Sequence, residues 1–215
     1  MSSGTPSRIR LALEYGVLFF GLPVVFVLDR FPLPLFPSLW LLAAGCLIWL
    51  LRSPEFSARR LWSLGSLNGH LLKALAPVVA GVPLILVATW VLLPERLFGF
   101  VRERPAMWAL VMVLYPLLSV LPQGVVYRVF IFRRYRRLFP ARGARIAASA
   151  AAFSAVHIVF ENWIAPAFTL AGGALFAWTY DRSQSELPAA VQHALFGCTI
   201  FTVGLGWYFY AGAVR

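Results

Sequence analysis

Long apolar segments, each close to the length that crosses a lipid bilayer, recur along almost the whole chain. A spanning α-helix needs about 20 predominantly apolar residues. The candidate segments are residues 11–28, 34–51, 72–94, 106–132, 144–160, 162–180 and 187–210. Only 13% of the residues are charged, against about 25% in soluble domains. The sequence therefore predicts an all-α polytopic transmembrane bundle of about seven helices and excludes a soluble domain.

The longest connection, residues 53–71, places arginines beside Trp62 and leucines. This mixture is typical of the headgroup region, so we expect the segment to be interfacial. We divide one continuous membrane domain into N-terminal helices, residues 1–105, and a C-terminal core, residues 106–215. The first apolar segment has no small-residue cleavage site and is expected to remain as a span. Cys46 and Cys198 both lie in apolar segments, which indicates no disulfide framework.

The basic residues predict the orientation of the helices. Passing the segments alternately through the bilayer from a cytoplasmic N-terminus puts most basic residues on the cytoplasmic side, as the positive-inside rule requires. The cytoplasmic set is Arg8, Arg10, Arg52, Arg59, Arg60, Lys73, Arg133, Arg134, Arg136, Arg137, Arg142, Arg145 and Arg182, and the opposite set is Arg30, Arg96, Arg102, Arg104 and Arg215. Because arginine greatly outnumbers lysine, we expect a GC-rich bacterial source, and hence an integral protein of the bacterial inner membrane.

Three patches inside the apolar segments carry amide, arginine or histidine side chains, at residues 122–128, 153–157 and 193–197. Such groups are costly in hydrocarbon and normally face the bundle interior. Measured along their predicted helices, Gln123, His157 and His193 lie roughly 14, 20 and 9 Å from the cytoplasmic end. Three helices can therefore line one polar cavity that opens to the cytoplasm.

The order and spacing of these patches resemble the CPBP superfamily of intramembrane proteases, which includes type II CAAX prenyl endopeptidases and bacteriocin-processing or self-immunity proteins. The superfamily motifs are E-E-x-x-x-R, F-x-x-x-H and H-x-x-x-N or a variant. Residues 123–128, 153–157 and 193–197 occupy them in this chain. The resemblance covers residues 106–210. It also includes Asn162, Gly172, Gly173, Tyr180, Ser185, Trp207, Tyr208, Phe209 and Tyr210.

The resemblance implies a catalytic site built from His157, His193, Gln123 and Arg128. Two departures affect its chemistry. The first motif of the family supplies two glutamates, one of them a proposed general base, where this chain has Gln123 and Gly124; proton transfer of this kind is typically worth about 10²–10⁴ in rate.

The third motif ends in Gly197, where many relatives carry an asparagine proposed to hold the oxyanion, a contribution of about 10²–10³. We therefore expect proteolysis to be absent or very slow. We also expect Gly124→Glu to raise it if the histidines still form a competent site.

Several side chains keep two interpretations. The two histidines either act on water and the substrate carbonyl or form hydrogen bonds between packed helices. Arg128 either extends to the interface or pairs with a carboxylate. Glu161 is either a solvated loop carboxylate or a substitute base. Glu14 is either interfacial or paired with an arginine. Small residues at Gly172 and Gly173 indicate close helix packing.

The sequence thus predicts an intramembrane endopeptidase-like protein that acts on a peptide or lipid-anchored protein near the cytoplasmic face. The alternative is a non-catalytic relative that binds a peptide or membrane partner in an immunity, scaffold or maturation role. A transporter is disfavoured because no inverted repeat is visible. We expect no cofactor and no tightly bound metal, since catalytic zinc normally has three protein ligands. The Arg133 to Arg145 loop is expected to contact anionic lipids rather than nucleic acid.

We predict that the Arg133 to Arg145 loop faces the cytoplasm, because it carries the densest positive charge of any connection. Single cysteines introduced there, in a chain with Cys46 and Cys198 replaced by alanine, should resist a membrane-impermeant thiol reagent in intact cells and react after the cells are opened. Arg104→Cys, on the predicted opposite side, is the control and should react in both cases. Labelling of the loop from outside intact cells would contradict this orientation.

Overall fold

The computed structural model describes residues 6–28, 32–54 and 56–209, and the regular elements in these ranges are helices. The helices are α1 Arg8–Val27, α2 Leu35–Leu51, α3 Gly65–Leu92, α4 Gly99–Glu103, α5 Pro105–Arg134, α6 Arg142–Val156, α7 Ile164–Ser183 and α8 Glu186–Val203. Short 3₁₀ turns lie at Ala58–Arg60, Pro94–Arg96, His157–Phe160 and Leu205–Phe209. The predicted all-α class is confirmed for the described residues.

Each of the predicted spans contains a helix, although the helix of the last span, residues 187–210, ends at Val203. Four helical stretches in the described ranges, α1, most of α3, α5 and α6 with the 3₁₀ turn that follows it, are long and apolar enough to cross a membrane. Helix α2 is apolar but has only 17 residues. Arg30, Arg215 and Tyr210, which entered the sequence predictions, lie outside the described residues.

One helix extends beyond its predicted span. Helix α3 begins at Gly65, several residues before the predicted start near residue 72, so His70 lies inside the helix. A search for apolar residues finds only the part of a helix that suits hydrocarbon. The backbone of a helix can continue through polar residues, because its hydrogen bonds are internal. The irregular part of the interfacial segment therefore ends before Gly65.

Helix α5 contains two π-helical stretches, Pro116–Val120 and Val125–Phe130, on either side of a regular turn, Leu121–Gly124. Pro116 and Pro122 have no backbone N–H to donate to the preceding turn, and this omission disturbs the regular hydrogen-bond ladder. Single π-helical turns of this kind often occur at functional sites. The first polar patch thus lies where the backbone of α5 is least regular.

Contacts at the two ends of the bundle agree with the predicted alternation of spans. At the end predicted to be cytoplasmic, Glu14 contacts Arg134, Arg60 donates to Gln184, and Arg142 pairs with Asp181. At the other end, Asn162 donates to the carbonyl oxygen of Tyr208, and Arg96 lies over the rings of Trp207 and Tyr208. Each contact joins segments that were assigned to the same side of the membrane.

Glu14 is paired with an arginine, which was the second of the two interpretations of this residue. Its carboxylate accepts hydrogen bonds from Nε and Nη2 of Arg134 at 2.7 and 2.5 Å, and from the hydroxyl of Tyr135 at 3.1 Å. This bidentate pair fixes the start of α1 against the end of α5.

Close packing at Gly173 is confirmed. A Cβ atom on this residue would lie 3.0 Å from Cδ1 of Phe153 and 3.2 Å from Cα of Ala150, both in α6. Gly172 instead faces Phe176 of its own helix. Gly173 therefore lets α7 approach α6 beside Phe153, an aromatic ring that contacts both predicted site histidines.

Candidate functional site

Helices α5 and α8 run antiparallel, and polar side chains on their facing surfaces form the centre of the candidate site. At one end of the pair, Nε1 of Trp108 donates to Oγ1 of Thr202 at 3.0 Å. At the other end, Arg128 of α5 meets Glu186, the first residue of α8. The second and third motifs contribute His157 from the end of α6 and His193 from the middle of α8.

Arg128 and Glu186 form a buried ion pair. Nε of the guanidinium donates to both carboxylate oxygens at 2.9 Å, and Nη2 donates to Oε1 at 2.5 Å. The two residues are 1% and 2% exposed. Arg128 thus pairs with a carboxylate rather than extending to the interface. Removal of either partner from a buried pair typically costs about 3–5 kcal/mol, because an unpaired charge is left inside the protein.

The Glu186 carboxylate lies in the space that a side chain on Gly124 would fill. A Cβ atom built on Gly124 would lie 2.7 Å from Cδ of Glu186 and 2.8 Å from Nη2 of Arg128, and closer still to Oε1 of Glu186. A glutamate introduced at residue 124 would therefore collide with this ion pair unless the pair moved, and the expected gain in activity from Gly124→Glu stays a prediction. Two carboxylates would compete for one buried arginine and one volume.

His157 is buried, and its ring orientation is fixed. Nδ1 lies 2.6 Å from the carbonyl oxygen of Phe153, and since a carbonyl can only accept, Nδ1 is the nitrogen that carries the proton. Nε2 of the neutral ring then presents a lone pair. The imidazole lies edge-on to the ring of Phe153, with 4.8 Å between the two centroids, and also approaches Phe160 and Phe209.

His193 is enclosed by aromatic rings. Phe176 stacks on it with 4.7 Å between centroids, and Phe153 lies edge-on at 5.3 Å. Nε2 lies 3.2 Å from the hydroxyl oxygen of Tyr115, whereas Nδ1 has no hydrogen-bond partner among the described residues. Because Phe153 touches both imidazoles, their centroids are at most about 10 Å apart.

Gly197, one turn after His193, faces the same tyrosine. A Cβ atom on Gly197 would overlap the ring and hydroxyl oxygen of Tyr115. A side chain at this position, such as the asparagine of many relatives, is incompatible with the present position of Tyr115. The hydroxyl of Tyr115 is the polar group that lies beside Gly197 in this chain.

Gln123 is half-buried next to Gly124, and its amide nitrogen donates to Oγ of Ser119 at 3.1 Å. This bond holds Gln123 within its own helix rather than to either histidine. Glu161 is exposed and has a positive φ of 53°, which agrees with a solvated loop carboxylate. Neither residue supplies a carboxylate at the histidines.

Sequence reasoning missed Glu186, Tyr115 and Gln192. Glu186 precedes His193 by seven residues, the spacing that places two side chains on one helix face, so its position was a usable signal. Gln192 is fully buried, donates to the carbonyl oxygen of Ala74 at 2.7 Å and accepts from Thr179 at 2.9 Å. Its partners come from distant segments, so no local pattern could indicate them.

No group of three His, Cys, Asp or Glu side chains that could hold a metal ion occurs among the described residues. Glu186 is the acidic side chain that comes closest to the motif positions, and both of its oxygens already accept from Arg128. The polar side chains of this arrangement are the imidazoles of His157 and His193, the hydroxyl of Tyr115 and the amide of Gln123.

A comparison with protein-family models assigns the C-terminal core. Residues 105–199, which contain all three motif positions, match the family described as type II CAAX prenyl endopeptidase Rce1-like. Searches of curated proteins and of solved structures gave no match. The matched range begins where the sequence resemblance began and ends before the predicted limit at residue 210. Residues 105–199 of this membrane protein are therefore similar to the Rce1-like family, the type II CAAX prenyl endopeptidases.

Proposed function

We propose that this chain is an intramembrane endopeptidase-like protein that acts on a peptide or a lipid-anchored protein near the cytoplasmic face of the bacterial inner membrane, with its own N-terminus in the cytoplasm. The Rce1-like family supports a CAAX-protease-like membrane protein. The substrate class, the membrane and the orientation are extensions of that family assignment and of the charge distribution.

The single observation that carries this proposal is the unpaired Nδ1 of His193. The residue is 5% exposed, yet this nitrogen has no partner among the described residues. A buried polar atom without a partner typically costs about 1–3 kcal/mol. A peptide group or a water molecule bonded to Nδ1 would remove this penalty. A polar ligand would therefore stabilise the site most if it formed a hydrogen bond with Nδ1 of His193.

The chemistry expected of the site is slow hydrolysis. The Nε2 lone pair of His157 can take a proton from water, because its Nδ1 is held as a donor by the carbonyl of Phe153. The first-motif positions supply no base, and the Glu186 carboxylate is occupied by Arg128. Loss of a positioned base lowers the rate by about 10²–10⁴.

The second candidate function is a binding protein that holds a peptide or membrane partner at the same site without cleaving it. The Arg128 to Glu186 ion pair favours this alternative, since it stabilises the site but removes the carboxylate from proton transfer. The two functions share the ligand and differ in whether a bond is broken.

We predict that Gln123→Glu raises hydrolysis by at least about tenfold, equivalent to about 1.4 kcal/mol of transition-state stabilisation. The change is isosteric and puts a carboxylate at the first-motif position without the collision that occurs at Gly124. The chain reconstituted in liposomes would be given a library of free and lipid-anchored peptides. Cleavage would be followed by mass spectrometry and binding by fluorescence anisotropy.

Two variants serve as controls for that experiment. His157→Ala should abolish the gain in the Gln123→Glu background, whereas His70→Ala, at a histidine outside the site, should change neither binding nor cleavage. Rapid cleavage by the unaltered chain, with no gain from Gln123→Glu, would contradict the slow-hydrolysis proposal. Peptide binding without cleavage in both forms would instead support the binding protein.

We also propose that anionic phospholipid binds at the basic loop. Helices α5, α6 and α7 and the 3₁₀ turn Ala58–Arg60 enclose a cavity of about 280 Å³ in this region. Its lining residues are Arg60, Phe132, Arg133, Arg136, Arg145, Tyr180, Asp181 and Gln184. Asp181, the acid of this lining, pairs with Arg142, which does not line the cavity, and Arg60, Arg136 and Arg145 bring positive charge to it. A phosphate group is the complementary ligand.

We predict that an anionic phospholipid raises the Tm of the detergent-solubilised chain, and that Arg136→Gln combined with Arg145→Gln removes at least half of this shift. Two zwitterionic arms, phosphatidylcholine alone and phosphatidylcholine with free phosphate, separate a lipid headgroup from a soluble anion. Arg104→Gln, on the opposite side, is the matched control and should retain the shift. Equal stabilisation by zwitterionic lipid, or an equal loss in Arg104→Gln, would refute lipid binding at this cavity.

A further inference from the structure

The two glycines that interrupt the first and third motifs lie on facing helices, and each is contacted by a polar side chain from the opposite helix. Gly124 on α5 faces the Glu186 carboxylate of α8, and Gly197 on α8 faces the Tyr115 hydroxyl of α5. The other glycines that the structure describes do not share this property. At Gly45 in α2, for example, a Cβ atom would meet nothing within 4 Å.

We infer that Glu186 and Tyr115 have taken over, from across the α5 and α8 pair, the positions that side chains at residues 124 and 197 would occupy, and that they act as positioning residues for Arg128 and His193. A glutamate at residue 124 would be one turn before Arg128, the spacing at which an acid and a base pair along a helix. Glu186 pairs with the same guanidinium from the other helix.

Tyr115 acts on His193 in the corresponding way. Its hydroxyl oxygen lies 3.2 Å from Nε2 of His193, and its ring lies edge-on to the imidazole with 6.1 Å between centroids. The bond directs the Nε2 edge of the imidazole toward α5 and leaves Nδ1 as the nitrogen without a partner among the described residues. Tyr115, a residue outside all three motifs, therefore determines that Nδ1 of His193 is the nitrogen left for the substrate of the proposed function.

The two contacts hold the same helix pair in one register. Residues 115 and 128 of α5 engage residues 193 and 186 of α8, so the two contacts join the antiparallel helices at two separate points. A larger side chain at either glycine would displace the polar group that faces it. Glycine is therefore required at residues 124 and 197, because Glu186 and Tyr115 occupy the adjacent space. Replacing Glu186 or Tyr115 by a smaller residue should remove the requirement at the glycine that it faces.

Two double-mutant cycles test this inference through the apparent Tm of the purified chain, which needs no substrate. Gly124→Glu alone should lower Tm by at least about 5 °C, and the same substitution should cost nothing, or restore stability, in the Glu186→Ala background. Gly197→Ala alone should likewise lower Tm, and the loss should vanish in the Tyr115→Ala background. Gly45→Ala is the matched control and should not lower Tm.

Additive losses in both cycles would overturn the inference, as would unchanged Tm in both single glycine variants.

Tyr115→Phe tests the positioning of His193 separately, because it removes only the hydroxyl. This part rests on the proposed function. Peptide binding by Tyr115→Phe should weaken at least about fivefold while Tm stays within about 2 °C of the unaltered chain. Unchanged binding would refute the role of Tyr115, whereas failure of every form to bind peptide would refute the proposed function and leave the Tm cycles as an intact test.

Discussion

The buried ion pair between Arg128 and Glu186 is the interaction on which the rest of the site depends. A guanidinium and a carboxylate that are 1% and 2% exposed are tolerable only when their hydrogen bonds are satisfied by each other. Nε and Nη2 of Arg128 make three such contacts with the two oxygens of Glu186. The pair fixes the start of α8 against α5, and His193 follows two helical turns later.

This constraint explains why the first motif contains a glycine. The carboxylate of Glu186 needs the volume beside residue 124, so any side chain there would push apart the groups that neutralise each other. The same argument applies at Gly197 and Tyr115. In the sequence, Gly124 and Gly197 look like two losses from a catalytic motif. In the structure, the space that their side chains would fill is occupied by Glu186 and Tyr115 of the facing helices.

Much of the architecture follows from the sequence because the bilayer imposes it. The length of an apolar segment and the cost of polar groups in hydrocarbon locate the helices. The order of the three patches gives the resemblance to the family whose model matches residues 105–199. The apolar pattern did not predict the polar turns of α3 before residue 72, since a helix may extend beyond the hydrocarbon without changing its backbone.

The details of the site were less accessible from the sequence. Gln123, His157, His193 and Arg128 could be named from motif spacing, and the need of Arg128 for a carboxylate could be posed as one of two alternatives. The identity of that carboxylate depends on how α5 and α8 are aligned, because Arg128 and Glu186 are 58 residues apart in the sequence. The contact between Tyr115 and His193 spans 78 residues and carries no local signal. Long-range side-chain pairs of this kind are set by tertiary packing.

The most direct test of this account is the coupling free energy between Arg128 and Glu186 in a cycle of Arg128→Met, Glu186→Leu and the double variant, measured by reversible unfolding in detergent. Each single substitution leaves an unpaired buried charge and should cost about 3–5 kcal/mol, whereas the double variant should recover most of that loss, because apolar side chains can replace a buried ion pair. Losses that simply add in the double variant would contradict a buried pair between these two residues.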